Sequence, residues 1–212
     1  MRRLFPALVL VVVLVGATAP AARGVERMHG VYRGQSVRAS FTTTDGSCIA
    51  TIVDVFALAS TIQWLPGTPY NNANIWVSVT QVDTCTGQTL LFAPGYATTD
   101  GVSIDPSLNA ARVQASLQVY NWNTDAWIPV EVDLAWAASG ACAREGFHEA
   151  ESGGGDVQYV IFEHSAGTTQ PATAAGSVMY EGVNLAAGET TAAEIVSTRE
   201  GELFVAPHND PD

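Results

Sequence analysis

The densest group of ionisable side chains is His148-Glu149-Ala150-Glu151, with Glu145 shortly before it. Imidazole and carboxylate are natural partners in acid–base work and in metal ligation. The group runs into Gly153-Gly154-Gly155, however, and polar residues in such a loop simply face water. Glu163-His164-Ser165 holds the residue types of nucleophilic catalysis. Neighbours along a strand point to opposite faces, and a working Ser–His pair needs spatial contact rather than adjacency. No G-x-S-x-G elbow accompanies them. Asn121, Asn123 and Asp125 sit two apart, as oxygen ligands do in calcium loops, but Val132 stands where the closing acidic ligand belongs. A turn built from Asn and Asp accounts for the same three residues. A secreted hydrolase or metal-binding protein using His148, Glu149 and Glu151 is therefore the competing reading, and no cofactor is implied.

Aromatic side chains offer a different chemistry. Trp64 and Tyr70 fall on a Pro/Gly/Asn-rich loop over residues 63–74, Trp122 on a hairpin tip, and Tyr120 and Trp127 on the wet face beside it. Exposed rings on a β-scaffold stack on sugars or peptides, since they join an apolar face to a polar edge. Tyr120 and Trp127 also stabilise the hairpin itself as a cross-strand pair. Trp64, Tyr70, Trp122 and Trp127 are the candidate binding residues.

Cys48, Cys85 and Cys142 make an odd count. If the strand that starts at Cys48 and the one that ends at Val82 are antiparallel neighbours, Cys48 and Cys85 lie at the same end of the sheet and pair. Cys142 is then a spare thiol among small residues. Three unpaired, buried cysteines are the alternative. The spacing matches no zinc pattern.

The elements that must position these residues are strands. Ala111, Val113, Ala115, Leu117 and Val119 alternate with polar residues, and so do Ile128, Val130, Val132, Leu134 and Trp136 after the turn-like segment Asn121 to Asp125. Two period-2 runs about a polar loop are a β-hairpin with one buried and one wet face. Pro129 falls on the wet face and lacks a donor, which favours an edge position. Further strands are expected at 37–44, 48–61, 74–82, 88–97, 157–164, 176–183 and 192–199, with weaker ones at 102–105 and 203–206. An irregular stretch follows Trp136. No segment shows a sustained helical period. The expectation is an all-β chain, a single antiparallel β-sandwich or soluble β-barrel of about eight to ten strands. Residues 23–36 read as a linker, 37–207 as the domain and 208–212 as a frayed tail.

Met1-Arg2-Arg3, the apolar run Leu4 to Val15 and the small residues Gly16 to Ala22 have the order of a signal peptide over residues 1–22, with cleavage after Ala21 or Ala22. The run is short of the roughly 20 residues that a permanent span needs. Secretion or a periplasmic location follows, with no membrane association after signal removal. A retained N-terminal anchor is the alternative. An outer-membrane barrel is disfavoured because the outward positions of the central hairpin are Gln, Ser, Glu and Asp.

The chain has no lysine, and its formal net charge is −12. All but one of the 21 acidic side chains lie beyond residue 39, where the only arginines are Arg112, Arg144 and Arg199. Such a surface repels phosphate backbones, so nucleic acid is excluded as a partner, while carbohydrate or protein ligands remain open. Gly46-Ser47-Cys48-Ile49, Asp83-Thr84-Cys85-Thr86-Gly87 and Val132-Asp133-Leu134-Ala135-Trp136 together resemble a pattern in uncharacterised secreted bacterial all-β proteins, which carry a D-x-C-T-G turn and a V-D-L-x-W strand. The resemblance covers about residues 39–136 and supplies no catalytic residue. Taken together, the sequence points to a secreted, non-catalytic β-domain with a binding or structural role.

Overall fold

The computed structural model describes residues 26–44, 46–153 and 159–206. The signal peptide expected at 1–22 and the tail expected at 208–212 lie outside them. Eleven strands run in chain order: β1 (Glu26–Thr44), β2 (Ile49–Leu65), β3 (Tyr70–Asp83), β4 (Gln88–Thr98), β5 (Val102–Ile104), β6 (Ala110–Asn121), β7 (Ala126–Ala138), β8 (Ala143–Gly153), β9 (Tyr159–Tyr180), β10 (Val183–Asn184) and β11 (Glu189–Ala206). Among the described residues the only helical element is a single 3-10 turn, Leu185–Ala187.

Every pairing is antiparallel, and the sheet returns on itself. β1 joins β2, β2 joins β3, β3 joins β4, β4 joins β6, β6 joins β7, β7 joins β9, β9 joins β11, and β11 pairs back with β1. Of the two all-β architectures expected, the ring of pairs matches the barrel. Closure gives each of the eight ring strands two partners, while β5, β8 and β10 each pair on one side only. One link is short: β4 and β6 meet at a single pair, Gly95↔Val119. A side chain at Gly95 would run into the Gln118 carbonyl and the Val119 side chain, so the close approach depends on glycine there.

Side chains on one face of each strand fill the interior. The rung Ile195–Val37–Ala57–Ile75, contributed by β11, β1, β2 and β3, is fully buried. Trp136 of β7, 2% exposed, reaches across and donates its indole N–H to the Arg38 carbonyl at 2.9 Å. That bond satisfies the one polar atom a buried tryptophan brings with it.

The central hairpin forms as expected, β6 and β7 pairing from Ala110↔Ala137 to Asn121↔Ala126. Pro129 pairs with Gln118 on one side, while pairing of β7 with β9 begins at Val130. The proline thus sits just beyond the two-sided part of its strand, where a missing donor costs nothing.

Several expectations are corrected. Residues 23–36 are not a linker from Glu26 onward: β1 starts there and is paired with both β11 and β2. Gly30 and Gly34 made the segment look irregular, but they lie beneath the rings of Trp64 and Tyr32. The stretch after Trp136 contains β8, which pairs with β9 from Ala143↔Thr169 to Gly153↔Tyr159. The strands expected at 157–164 and 176–183 belong to one 22-residue strand, β9. The loop at 63–74 shrinks to the residues between Leu65 and Tyr70.

Candidate functional site

The turns after β1, β3 and β6 all lie at one end of the barrel, because consecutive strands in the ring are antiparallel. Cys48 and Cys85 meet there in a disulfide with a Cα–Cα distance of 5.4 Å. Asp83 shapes the turn by accepting from the Cys85 and Thr86 amides at 2.9 and 3.1 Å, and the Thr84 hydroxyl donates to the Cys48 carbonyl at 2.8 Å. Asp83 and the two sulfurs cluster within 4.8 Å, but both sulfurs are committed to each other and are not metal ligands. Cys142 is free and exposed, its thiol against Gln170 Oε1 at 2.6 Å. A disulfide of this kind forms and persists in an oxidising, extracytoplasmic environment. No helix of the described residues is long and apolar enough to cross a membrane.

At the same end the β6–β7 hairpin presents three aromatic rings. Tyr120 pairs directly with Trp127, with ring centroids 5.1 Å apart, and Trp122 stands edge-on to Tyr120 at 4.9 Å. Trp122 and Trp127 keep 66% and 62% of their surface exposed, so the cluster faces solvent rather than a core. The tip is shaped by local hydrogen bonds. Asn121 Oδ1 accepts from the amides of Asn123 and Thr124 at 2.9 and 3.2 Å, and Asp125 adopts φ of 55°. The Tyr120 hydroxyl donates to Asp125, and that bond raises the pKa of the phenol. Asn121, Asn123 and Asp125 therefore build a turn, and the buried Asn121 oxygen is spent on it. Asn123 also donates to the Leu90 carbonyl at 2.9 Å, tying the tip to β4.

A second aromatic group lies on the outer face of the neighbouring strands. Phe56, Trp76 and Tyr96 occupy one rung across β2, β3 and β4, with centroids 5.3 and 5.0 Å apart. The Tyr96 hydroxyl donates to Asn74 Oδ1 at 2.6 Å. Phe92 of β4 is exposed, and its carbonyl accepts from the Trp122 amide at 3.4 Å. Sequence reading passed over Phe56, Trp76, Tyr96 and Phe92. The signal was present in β3, where Trp76 is out of phase with the buried Ile75, Val77 and Val79.

Trp64 and Tyr70 do not join this surface. They end β2 and begin β3, at the opposite end of the barrel from the hairpin tip. The Trp64 ring covers Gly30 of β1, a packing role, while Tyr70 is exposed beside Ile62.

The His/Glu group lies on β8 rather than in a loop. His148 pairs with His164 of β9, their rings stacked at 6.2 Å and 19°. Glu149 pairs with Glu163 on the other face of the same two strands. The histidines meet, but among the described residues neither imidazole is hydrogen-bonded to a carboxylate, and the Glu149 and His148 side chains are exposed. Glu151 lies in β8, with its side chain outside the described set.

No family model matches the chain, and no curated protein does. Among solved structures it is similar to an AttH-type protein from Nitrosomonas europaea, at 12% identity and a TM-score of 0.27. The likeness covers 85% of this chain and 53% of the other, so the chain spans about half the length of that protein. A superposition this loose assigns no activity.

Proposed function

We propose that the chain is an exported, non-catalytic carbohydrate-binding protein that docks neutral glycans on its outer aromatic face. The observation that carries the reading is the solvent-facing cluster of Trp122, Tyr120 and Trp127 on a turn held by side-chain hydrogen bonds. Rings fixed in place bind at lower entropic cost than mobile ones. Pyranose faces are apolar on one side and ringed by hydroxyls, and the exposed Gln118, Asn123 and Thr124 stand beside the rings as hydrogen-bond partners. The net charge of −12 favours neutral over anionic polymers. Against a hydrolase on His148, Glu149 and Glu151 stands the placement of His148 and Glu149 on opposite faces of one exposed strand. The leader sequence, the disulfide and the resemblance to secreted proteins of unassigned activity support export. Mass spectrometry of the exported protein is expected to find residues 1–21 or 1–22 removed.

Affinity electrophoresis and calorimetry against soluble neutral polysaccharides test the binding reading. Replacing Trp122 and Trp127 together by alanine is expected to weaken binding at least about tenfold, a cost of roughly 1.4 kcal/mol. Tyr70→Ala, at the far end, leaves it unchanged. Retention of a protein partner on this face with no polysaccharide retarded would replace the carbohydrate reading.

A further inference from the structure

The opposite end of the barrel holds a cavity unrelated to the aromatic face. Beyond the buried rung Ile195–Val37–Ala57–Ile75, the same inward face continues with Ser197–Gln35–Ala59–Ala73 and then Arg199–Arg33–Thr61–Asn71. These two rungs line a cavity of about 1100 Å³, whose far wall is the chain following β4 and β5 and includes Asp100. That volume is slightly above the roughly 300–1,000 Å³ typical of small-molecule sites, and barrel mouths are among their usual places.

Arg33 and Arg199 stand directly opposite each other on the same face of β1 and β11. Like charges in that relation repel and destabilise the pair. Both side chains are exposed, and among the described residues the ion pair is Arg112–Asp133, with neither Arg33 nor Arg199 in one. A chain with a large excess of carboxylates thus leaves two arginines on adjacent strands of one hollow outside any ion pair, with Asp100 on the far wall as the carboxylate that faces the same space. Two adjacent planar forks match the oxygens of one carboxylate or phosphate.

The rest of the lining specifies the body of the ligand. The apolar side chains of the lining, Ala59, Ala73 and Pro106, are short and stand among polar ones, a mixed surface that suits the alternating C–H and O–H groups of a sugar ring. Thr61 donates its hydroxyl to Asn71 Oδ1 at 2.8 Å, which leaves the Asn71 amide N–H groups to donate. Gln35 donates to the Asp105 carbonyl at 3.3 Å, which leaves its own carbonyl oxygen to accept.

We infer that this cavity binds a small polyhydroxylated oxyanion, a sugar acid or sugar phosphate. Arg33 and Arg199 clamp the acid group, and Asn71, Thr61 and Gln35 meet the hydroxyls. The site is independent of the glycan face, and neutralising it leaves polysaccharide binding intact.

Calorimetry and thermal unfolding with glucuronate, glucose 6-phosphate and glucose as probes decide the matter. At least one acid is expected to bind and raise the melting temperature, while glucose does neither; the tighter acid identifies the source as carboxylate or phosphate. Arg33→Gln and Arg199→Gln each weaken that binding about tenfold or more, and Arg112→Gln does not. Without ligand, Arg33→Gln raises the melting temperature by relieving the repulsion. Should either glutamine variant fail to fold, Arg199→Lys keeps the charge and is expected to weaken binding by loss of the two-pronged contact. Equal binding of glucose, undiminished acid binding by the Arg33→Gln/Arg199→Gln double variant, or no binding of either acid at millimolar concentration overturns the inference.

Discussion

Glu149, Glu163 and Glu202 occupy one rung across β8, β9 and β11, three carboxylates facing the same way. Glu200 and Glu202 are held above the ordinary glutamate value of 4.5, first by burial and then by the charge of Glu163. In the opposite direction, Asp83, Asp105 and Asp133 are held below the ordinary 3.8. The Thr86 amide and hydroxyl act on the first, the Ser107 amide and hydroxyl on the second, and Arg112 with Gln114 on the third. The raised pair contributes stability that is full below 4.5 and is lost as pH climbs through the folded values. The lowered aspartates contribute stability present above 3.8 and lost as pH falls further. Urea midpoints are therefore expected to rise on acidification from neutral pH to about 4.5 and to drop below about 3.8. Glu163→Gln flattens the upper limb by less than about 1 kcal/mol, since water screens these groups. A midpoint that declines steadily from pH 7 to 4.5 contradicts the assignment.

At the level of elements, the disulfide closes a loop between residues separated by 37 positions, β2 and β3 forming the hairpin inside it. Cys48→Ser/Cys85→Ser is expected to cost about 4 kcal/mol in chemical unfolding, the loop-closure entropy returned to the unfolded chain. A change under about 1 kcal/mol would show that the β2–β3 pairing already restrains the unfolded chain. This pairing was legible in the sequence because it needs only strand order and turn chemistry. The β6–β7 hairpin was legible for a related reason: one of its faces meets the core and the other meets water. The first half of β1 and all of β8 were not. Their residues alternate nothing, since side chains 143–150 are exposed on both faces, and what holds them is backbone pairing to β9, β11 and β2. Hydrogen-bonded register leaves no hydropathy trace. The same reason hid the Arg33–Arg199 contact, because their adjacency exists only once the first and last strands pair. It also made Trp64 look like a loop residue instead of the cover over Gly30.

For the molecule as a whole, closure separates two surfaces that the linear chain interleaves. The hairpin aromatics and the disulfide gather at one end, and the arginine cavity opens at the other. Trp136 lies in the packing that joins them, so Trp136→Ala is expected to lose about 3–5 kcal/mol and to melt the whole cylinder in one transition. Far-ultraviolet and near-ultraviolet dichroism followed in parallel check this; separate transitions would mean that β8, paired to β9 alone, unfolds by itself.

Seven of the eight strand junctions around the ring are long ladders, while β4 and β6 share one pair at Gly95 and Val119. Local opening follows the fewest bonds broken. Deuterium should accordingly enter the amides flanking Gly95 and Val119 early, ahead of the β1–β2 and β1–β11 ladders, so that thermal breathing parts the wall along a fixed line and spares the rest.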